Sequence, residues 1–236
     1  MKPITLCSNM LNEEADIKEW MEMANSMPID GIIIVDGGSS DRTGEIAKEM
    51  GAIVIIDNTI QREGYGNSRN QLIDLTKEYF PGSEYMLFLD ADERILKEDF
   101  HWLRVIKDSL VSEFNAVAFP RLDFHNREMT KCENDIHVNP DPQCRMVRVN
   151  SNARYVRRLH EQIKDANIYF NINNPKICHF HRCAPEARRR HVSKICAYLH
   201  NKDEMKDTYP VHPKEAAAFE LYRKEGLTEG LDCDKF

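Results

Sequence analysis

The 236-residue sequence lacks the features that mark several classes of protein. Positive charge is not in excess, since 32 Lys and Arg residues face 39 Asp and Glu residues and give a formal net charge of -7. This balance gives no case for nucleic-acid binding. No apolar run approaches the roughly 20 residues that a membrane-spanning helix requires. We therefore expect a soluble globular protein that binds no nucleic acid.

The cysteines also lack a pattern. The sequence contains seven of them, an odd number without regular spacing, and no signal-like apolar stretch follows Met1. A disulfide framework would need paired cysteines and an oxidising compartment. We predict a cytoplasmic protein with reduced cysteines.

The first half of the chain contains a regular alternation of strand-like and helix-like segments. Short β-branched or apolar runs predict strands, and apolar residues at helical spacing predict helices. Predicted strands cover residues 4–7, 31–35, 52–56 and 85–89, and predicted helices cover residues 13–25, 42–50 and 67–79. This order predicts an α/β fold with a mostly parallel sheet flanked by helices.

The second half has a weaker pattern. It predicts a helix over residues 102–111, strands over 116–122 and 146–149, and an Arg-rich amphipathic helix over 185–199. The polar stretch 124–142 contains "NPDP" and predicts a long loop that could act as a lid. We expect residues 1–236 to form one domain.

Polar side chains follow the predicted strands of the first half. Asn12 comes after the first strand, Asp36 ends the second, and Asp90 and Asp92 follow the fourth. In parallel sheets, ligands bind outside the carboxyl ends of the strands. Asp-Ala-Asp after a buried strand suits Mg²⁺ or Mn²⁺ held between carboxylates and a diphosphate. The alternative is that these residues only form a turn or cap a helix.

Asp36 opens the Gly/Ser stretch "DGGSSD". Backbone N–H groups of this stretch could bind phosphate, although it has neither G-x-G-x-x-G nor a Walker lysine. Alternatively, Asp36 reads the base of a nucleotide while the glycines allow a close approach. Both interpretations place a nucleotide at this strand end.

Six motifs in a fixed order resemble those of family 2 glycosyltransferases, which have the GT-A fold. The first four are "SNMLNEE", "IIIVDGGSSDRTGEIAKEMG", "GNSRNQL" and "LFLDADE". The last two, "RRLHEQI" and "KICHFHRCAPEARRRH", resemble a subgroup that includes lipopolysaccharide-core glucosyltransferases. The resemblance covers roughly residues 4–195. It implies a nucleotide-sugar-binding half, residues 1–95, and an acceptor-facing half with C-terminal helices, residues 96–236.

The resemblance also implies a reaction and a role for each matching residue. The reaction is an inverting transfer from a nucleotide sugar, UDP-hexose by default, to an acceptor hydroxyl, assisted by Mn²⁺ or Mg²⁺. Glu161 would be the catalytic base, and Asp92 and His179 would ligate the metal. The other matching residues would bind the donor: Asn12, Glu13, Asp36, Arg69 and Asp90.

The stretch "CHFHRC" departs from the subgroup, in which an aromatic-Gly pair usually follows the first histidine. His181 therefore competes with His179 as the metal ligand. A zinc cluster of Cys178, His179, His181 and Cys183 is a rival interpretation. Alternation along a strand disfavours it, because Cys178 would lie on the face opposite the other three.

Glu161 and its surroundings have further interpretations. Glu161 could form an ordinary surface salt bridge with Arg157 or Arg158. Residues 145–190 carry eleven Lys and Arg residues against three acidic residues. Such a segment could attract an anionic acceptor or provide peripheral contact with the inner face of a membrane.

Two other functions are compatible with a nucleotide site. A sugar-phosphate nucleotidyltransferase usually has a Gly-rich, basic loop after the first strand, and "CSNMLNEE" has neither feature. A nucleotide-sugar-binding protein without turnover has little need for a base such as Glu161. For a transferase, the acceptor stays open between a saccharide, a lipid-linked molecule and a protein.

Overall fold

The computed structural model of the protein describes residues 3–133, 140–171, 173–184, 195–196 and 198–199. Strands and helices of the first half alternate as predicted, with small shifts at their ends and one additional short helix. In chain order these elements are β1 (Ile4–Met10), α1 (Glu14–Ser26), β2 (Gly31–Asp36), α2 (Thr43–Glu49), β3 (Ile53–Ile56), α3 (Thr59–Glu63), α4 (Tyr65–Tyr79) and β4 (Tyr85–Phe88).

The second half contains more strands than its sequence pattern predicts. Its elements are β5 (Glu93–Ile95), α5 (Phe100–Ser109), β6 (Ala116–Asp123), β7 (Asp141–Arg148), β8 (Arg154–Val156), β9 (Gln162–Lys164), β10 (Ile168–Phe170) and β11 (Ile177–His179). Five of these strands have only three residues. Runs that short show no periodicity, which explains why they were not predicted.

The predicted loop over residues 124–142 is wrong at its end, because β7 already begins at Asp141. The polar start of β7 pairs with β6, and this pairing outweighs its weak local strand preference. Residues 134–139 of the predicted loop lie outside the described residues. Most of the helix predicted over residues 185–199 does so too.

Nine strands form one sheet in the order β3-β2-β1-β4-β7-β6-β11-β5, with β10 pairing β6. The neighbours among β1 to β4 pair in parallel, as predicted. β7 runs antiparallel to both β4 and β6, and it joins strands from the two halves of the chain. The carboxyl ends of β1, β2 and β4 therefore meet at one edge of a mostly parallel sheet.

Helices cover both faces of the sheet, and alternation along the strands divides the core accordingly. On one face, Leu6 and Ile34 belong to a cluster with apolar residues of α1, α2 and α5. On the other face, Cys7 and Val35 belong to a cluster with apolar residues of α4. Within the described residues, no helix is both long and apolar enough to cross a membrane.

Candidate active site

The turn after β4 places Asp90 and Asp92 at the carboxyl edge of the sheet. Trp20 of α1 donates from Nε1 to the backbone oxygen of Asp90 at 3.2 Å. The backbone N–H of Asp90 donates to Oε2 of Glu93 in β5 at 3.0 Å. The turn is thus held from α1 and from β5, and it presents two of the predicted residues on a rigid frame.

Next to this turn lies a group of buried and half-buried charged side chains, which we call the arginine–carboxylate group: Asp90, Glu93, Arg121 and Arg145. Arg145 of β7 is 1% exposed, and Glu93 is 0% exposed. Nη2 of Arg145 donates to Oε1 of Glu93 at 2.5 Å and to Oδ2 of Asp90 at 2.8 Å. Nη1 of Arg121 lies 3.6 Å from Oε1 of Glu93. The sequence interpretation missed Glu93, Arg121 and Arg145 as parts of this site.

The charges in this group move two carboxyl pKa values in opposite directions. Burial alone would raise the pKa of Glu93, but the charges of Arg145 and Arg121 hold it below its ordinary value. Burial raises the pKa of Asp90 in spite of the opposing charge of Arg145. Glu93 therefore stays ionised and anchors Arg145, whereas Asp90 is the carboxyl group that takes up a proton more readily.

The basic segment 145–190 is not a continuous charged surface. Arg145 is buried in a strand that lies between β4 and β6, and Arg148 pairs with Glu84. The arginines at positions 188–190 lie outside the described residues. Arg145 therefore cannot contribute to a basic surface of this segment, because it lies in the interior of the protein. Contact with a membrane stays a prediction.

Three side chains that could hold a divalent cation meet at the same edge of the sheet. Nε2 of His179 lies 3.7 Å from Oδ1 of Asp92, and Nδ1 of His181 lies 3.6 Å from Oδ2. The ligand atoms of the three residues all lie within 4.8 Å of one another. β11 runs antiparallel to β5, and the N–H of Phe180 donates to the backbone oxygen of Asp92 at 2.9 Å, which brings the histidines to the carboxylate.

One carboxylate and two imidazoles form a donor set that fits a divalent cation. The structure thus brings Asp92 together with both of the competing histidines. The roles of these residues as metal ligands stay predictions.

Asp123 at the end of β6 orients His179. The two nitrogen atoms of His179 differ in their partners, since Nδ1 lies 2.5 Å from Oδ1 of Asp123. A carboxylate only accepts, so Nδ1 carries the proton and Nε2 faces Asp92. Burial alone would lower the pKa of His179, but this hydrogen bond and the charge of Asp92 raise it above its ordinary value. Partners of this kind fix the orientation of metal-binding histidines.

The rival interpretation, a zinc cluster of Cys178, His179, His181 and Cys183, is wrong. β11 ends at His179, and residues His181–Cys183 form a 3₁₀ turn, so strand alternation does not continue to Cys183. Cys178 and Cys183 belong to one apolar cluster with Phe124 and Phe180. Within the described residues, the only group of three or more side chains that could hold a metal ion contains no cysteine.

Glu161, the predicted base, lies just before β9 and pairs with Arg69 of α4. Nη2 of Arg69 contacts Oε1 of Glu161, and the two side chains are only 6% and 12% exposed. The guanidinium carbon of Arg69 lies 4.3 Å from the centre of the Phe88 ring and 5.3 Å from that of Tyr155. An ordinary surface salt bridge is therefore the wrong interpretation, because Glu161 turns inward against α4.

The electrostatic surroundings keep Glu161 charged. Burial alone would raise its pKa, but the charges of Arg69 and Arg145 hold the pKa below its ordinary value. The charge of Arg69 also opposes the raised pKa of Asp90. The ionised carboxylate of Glu161 and the turn after β4 are thus linked through two buried arginines.

Close backbone contact with α4 positions the loop that leads to Glu161. The N–H groups of Tyr65 and Gly66 donate to the backbone oxygens of Arg158 and Arg157, at 2.9 and 3.1 Å. A Cβ atom on Gly66 would lie 2.4 Å from the backbone oxygen of Arg157. Glycine is required at this point because only hydrogen fits between the helix and the loop.

We expect Gly66→Ala to destabilise the protein by about 1–3 kcal/mol because its Cβ overpacks this contact. In an ordinary helix interior the same change would stabilise the protein by about 1 kcal/mol. A loss of stability on Gly66→Ala would therefore indicate the tight contact between α4 and the loop. Chemical denaturation measures the change. Gly82→Ala is the matched control, since a Cβ there meets nothing within 4 Å. A Gly66→Ala protein as stable as the wild type would show that the loop is not packed this tightly.

The remaining predicted donor residues connect the loops that follow β1 and β2. Oδ1 of Asp36 accepts hydrogen bonds from the N–H groups of Gly38 and Ser39, at 3.0 and 2.7 Å. Oδ1 of Asn12 accepts from the N–H of Ser40 at 2.8 Å. The N–H of Glu13, a buried residue, donates to Oγ1 of Thr43 at 2.7 Å. These bonds shape the strand-end crevice, and contact with a donor stays a prediction for all three residues.

Residues 8–181 match the model described as "Glycosyl transferase family 2". The chain belongs to glycosyl transferase family 2. The resemblance of its last two motifs to the lipopolysaccharide-core subgroup stays a prediction.

One curated relative and two solved structures are similar to this family 2 chain. A TPR repeat-containing protein of Synechococcus elongatus is 29% identical over 166 residues. The match covers 70% of this chain but only 36% of the length of that relative. The crystal structure of S. aureus TarS 1–349 is similar with a TM-score of 0.52 at 12% sequence identity. This match covers 100% of this chain and 77% of the TarS chain. Its complex with UDP-GlcNAc has a TM-score of 0.51 at 13% identity, with the same coverage. These structures confirm the predicted GT-A fold.

Proposed function

We propose that the protein is an inverting, metal-assisted glycosyltransferase that moves a hexose from a uridine nucleotide sugar to an acceptor hydroxyl. The observation that carries the proposal is the meeting of two kinds of group at one edge of the sheet. Asp92 lies against two histidines there, and the ionised carboxylate of Glu161 lies against Arg69. Membership of family 2 supports the reaction class and disfavours a nucleotidyltransferase.

Glu161 supplies the base that this reaction needs. It would take the proton of the acceptor hydroxyl as that oxygen bonds to the anomeric carbon. The bond from the anomeric carbon to the diphosphate breaks at the same time, and the diphosphate leaves with the electron pair. The configuration inverts because the acceptor attacks from the face opposite the leaving group.

The metal and donor residues complete the proposed site. Asp92 and His179 would hold a Mn²⁺ or Mg²⁺ ion, which supplies positive charge beside the departing diphosphate when it is bound. Arg69 is held between two aromatic rings, and its guanidinium group offers the N–H groups that phosphate oxygens accept. Asn12, Glu13, Asp36 and Asp90 would contact the rest of the nucleotide sugar.

The solved structures of a similar fold suggest which nucleotide to test first. S. aureus TarS 1–349 has been crystallised with UDP and with UDP-GlcNAc. These complexes support a uridine nucleotide as the donor in this chain. The acceptor is proposed only by its reacting hydroxyl, and a cytoplasmic location, with or without membrane contact, stays a prediction.

Thermal unfolding with UDP, GDP, CDP and dTDP, each with Mn²⁺ or with EDTA, tests the donor site. We expect one nucleotide to stabilise the protein only when the metal is present, by about 2.7 kcal/mol at about 100 times its Kd. Asp92→Asn should lose this metal-dependent part, because it removes the carboxylate charge. Asp74→Asn on the exposed side of α4 is the matched control. A protein that no nucleotide stabilises in a metal-dependent way would contradict the proposal.

A further inference from the structure

Two histidines face Asp92 in this chain where the family resemblance leads us to expect one. His179 ends β11, and the 3₁₀ turn His181–Cys183 that follows returns the second histidine to the same carboxylate. The two imidazole rings are nearly parallel, with an interplanar angle of 16° and centroids 5.9 Å apart. The second ring takes the place of the glycine expected after the aromatic residue.

Each imidazole faces a different carboxylate oxygen of Asp92. His179 lies 3.7 Å from Oδ1 through Nε2, and His181 lies 3.6 Å from Oδ2 through Nδ1. Since Asp123 takes Nδ1 of His179, only Nε2 of that ring is available to a metal. All three ligand atoms lie within 4.8 Å of one another. One cation can therefore contact all three after small side-chain movements.

The neighbouring carboxylates have other partners. Asp90 and Glu93 are held by Arg145, and Arg121 lies 3.8 Å from Oδ1 of Asp123. The ligands that meet at this point are consequently one carboxylate and two imidazoles. Mg²⁺ prefers oxygen ligands and keeps several waters, whereas nitrogen ligands favour first-row transition-metal ions.

We propose that His181 is a third protein ligand and that it makes the site select a first-row transition-metal ion over Mg²⁺. The inference deepens the proposed function, because it names the cation class of that site. It does not require a nucleotide, since three ligands come from the protein itself. Within first-row ions, affinity should increase from Mn²⁺ to Co²⁺.

Titration of the full chain with Mn²⁺, Co²⁺ or Mg²⁺ alone tests the inference by calorimetry. We expect Mn²⁺ to bind at least about tenfold more tightly than Mg²⁺ without nucleotide, and His181→Ala to weaken Mn²⁺ binding by about 10- to 100-fold. His181→Asp should reduce the preference for Mn²⁺ over Mg²⁺, because it replaces a nitrogen ligand by an oxygen ligand. His101→Ala is the matched control, since this exposed histidine of α5 lies outside the ligand group.

A spectroscopic measurement separates a ligand from a bystander. Electron spin-echo modulation of bound Mn²⁺ should show coupling to two imidazole nitrogens in the wild type and to one in His181→Ala. Equal Mn²⁺ and Mg²⁺ affinities in the wild type, or a His181→Ala protein with unchanged Mn²⁺ affinity, would overturn the inference. If His181→Ala impairs only nucleotide binding, the inference is also wrong. Metal selectivity without any nucleotide-dependent stabilisation would instead contradict the proposed function and leave this inference standing.

Discussion

Glu161→Gln should lower the rate of sugar transfer by about 10²- to 10⁴-fold, the usual contribution of a general base, with little change in donor binding. The amide cannot take up the acceptor proton. Its oxygen can still accept a hydrogen bond from Arg69, so we expect the fold to persist. The rate is measured as release of the nucleoside diphosphate with water as acceptor, from a hexose donor that carries the nucleotide found to stabilise the protein.

Two further variants make this result specific. Glu63→Gln is the matched control, because Glu63 of α3 is exposed and accepts a hydrogen bond from Nδ2 of Asn67 at 3.2 Å. Glu161→Asp keeps a carboxylate one methylene shorter and should show an intermediate rate. Glu161→Gln with a wild-type rate would place the base elsewhere. A wild-type protein that binds the nucleotide sugar and releases diphosphate neither to water nor to added saccharide acceptors would instead be a binding protein without turnover.

Arg145→Met should cause the largest loss of stability, about 3–5 kcal/mol, because it leaves the buried carboxylate of Glu93 without its main partner. The loss should depend on pH. In the wild type, the lowered pKa of Glu93 contributes stability above its unfolded pKa, and this contribution disappears as the pH falls. In the variant, burial raises the same pKa, so the penalty is relieved in acid. The stability difference between the two proteins should therefore narrow as the pH is lowered.

Arg148→Met provides the matched control for this experiment. Arg148 lies on the same strand, and its guanidinium carbon lies 5.0 Å from the centre of the Tyr85 ring, much as Arg145 lies 5.2 Å from that of Phe88. Its partner Glu84 is more exposed than Glu93, and such pairs contribute about 0–1 kcal/mol. Chemical denaturation at several pH values measures both variants. Equal losses for the two arginines would show that burial of the Arg145 pair has no special importance.

Local patterns made the first half of the fold predictable. The β-branched run of β2 and the apolar run of β4 are signals that need no distant partner, and the strand-helix order then implies a parallel sheet. β5 and β11 have three residues each and are strands because of their partners: β5 pairs with β11 at the sheet edge, and β11 also pairs with β6. Pairing of this kind depends on residues far apart in the chain, which periodicity cannot detect.

The site was predictable to the same extent. The position of Asp90 and Asp92 after a buried strand, and of Asp36 at the end of β2, placed these residues at the carboxyl edge of the sheet. Arg145 was counted only among the basic residues of segment 145–190, although its place within the stretch "CRMV" offered a signal of burial. A buried charged side chain needs a partner of opposite charge, and Glu93 is that partner.

By itself, the sequence determined the strand-helix order, the edge of the sheet where polar residues collect and the family to which the motifs point. These properties follow from short-range preference and from motifs read in order. Only the tertiary structure decided the partners of the charged groups, Arg69 with Glu161 and Arg145 with Glu93, and showed that His181 lies beside Asp92 together with His179 and not instead of it. The physical reason is that such pairs form between distant segments, and burial selects which opposite charges and ligands must meet.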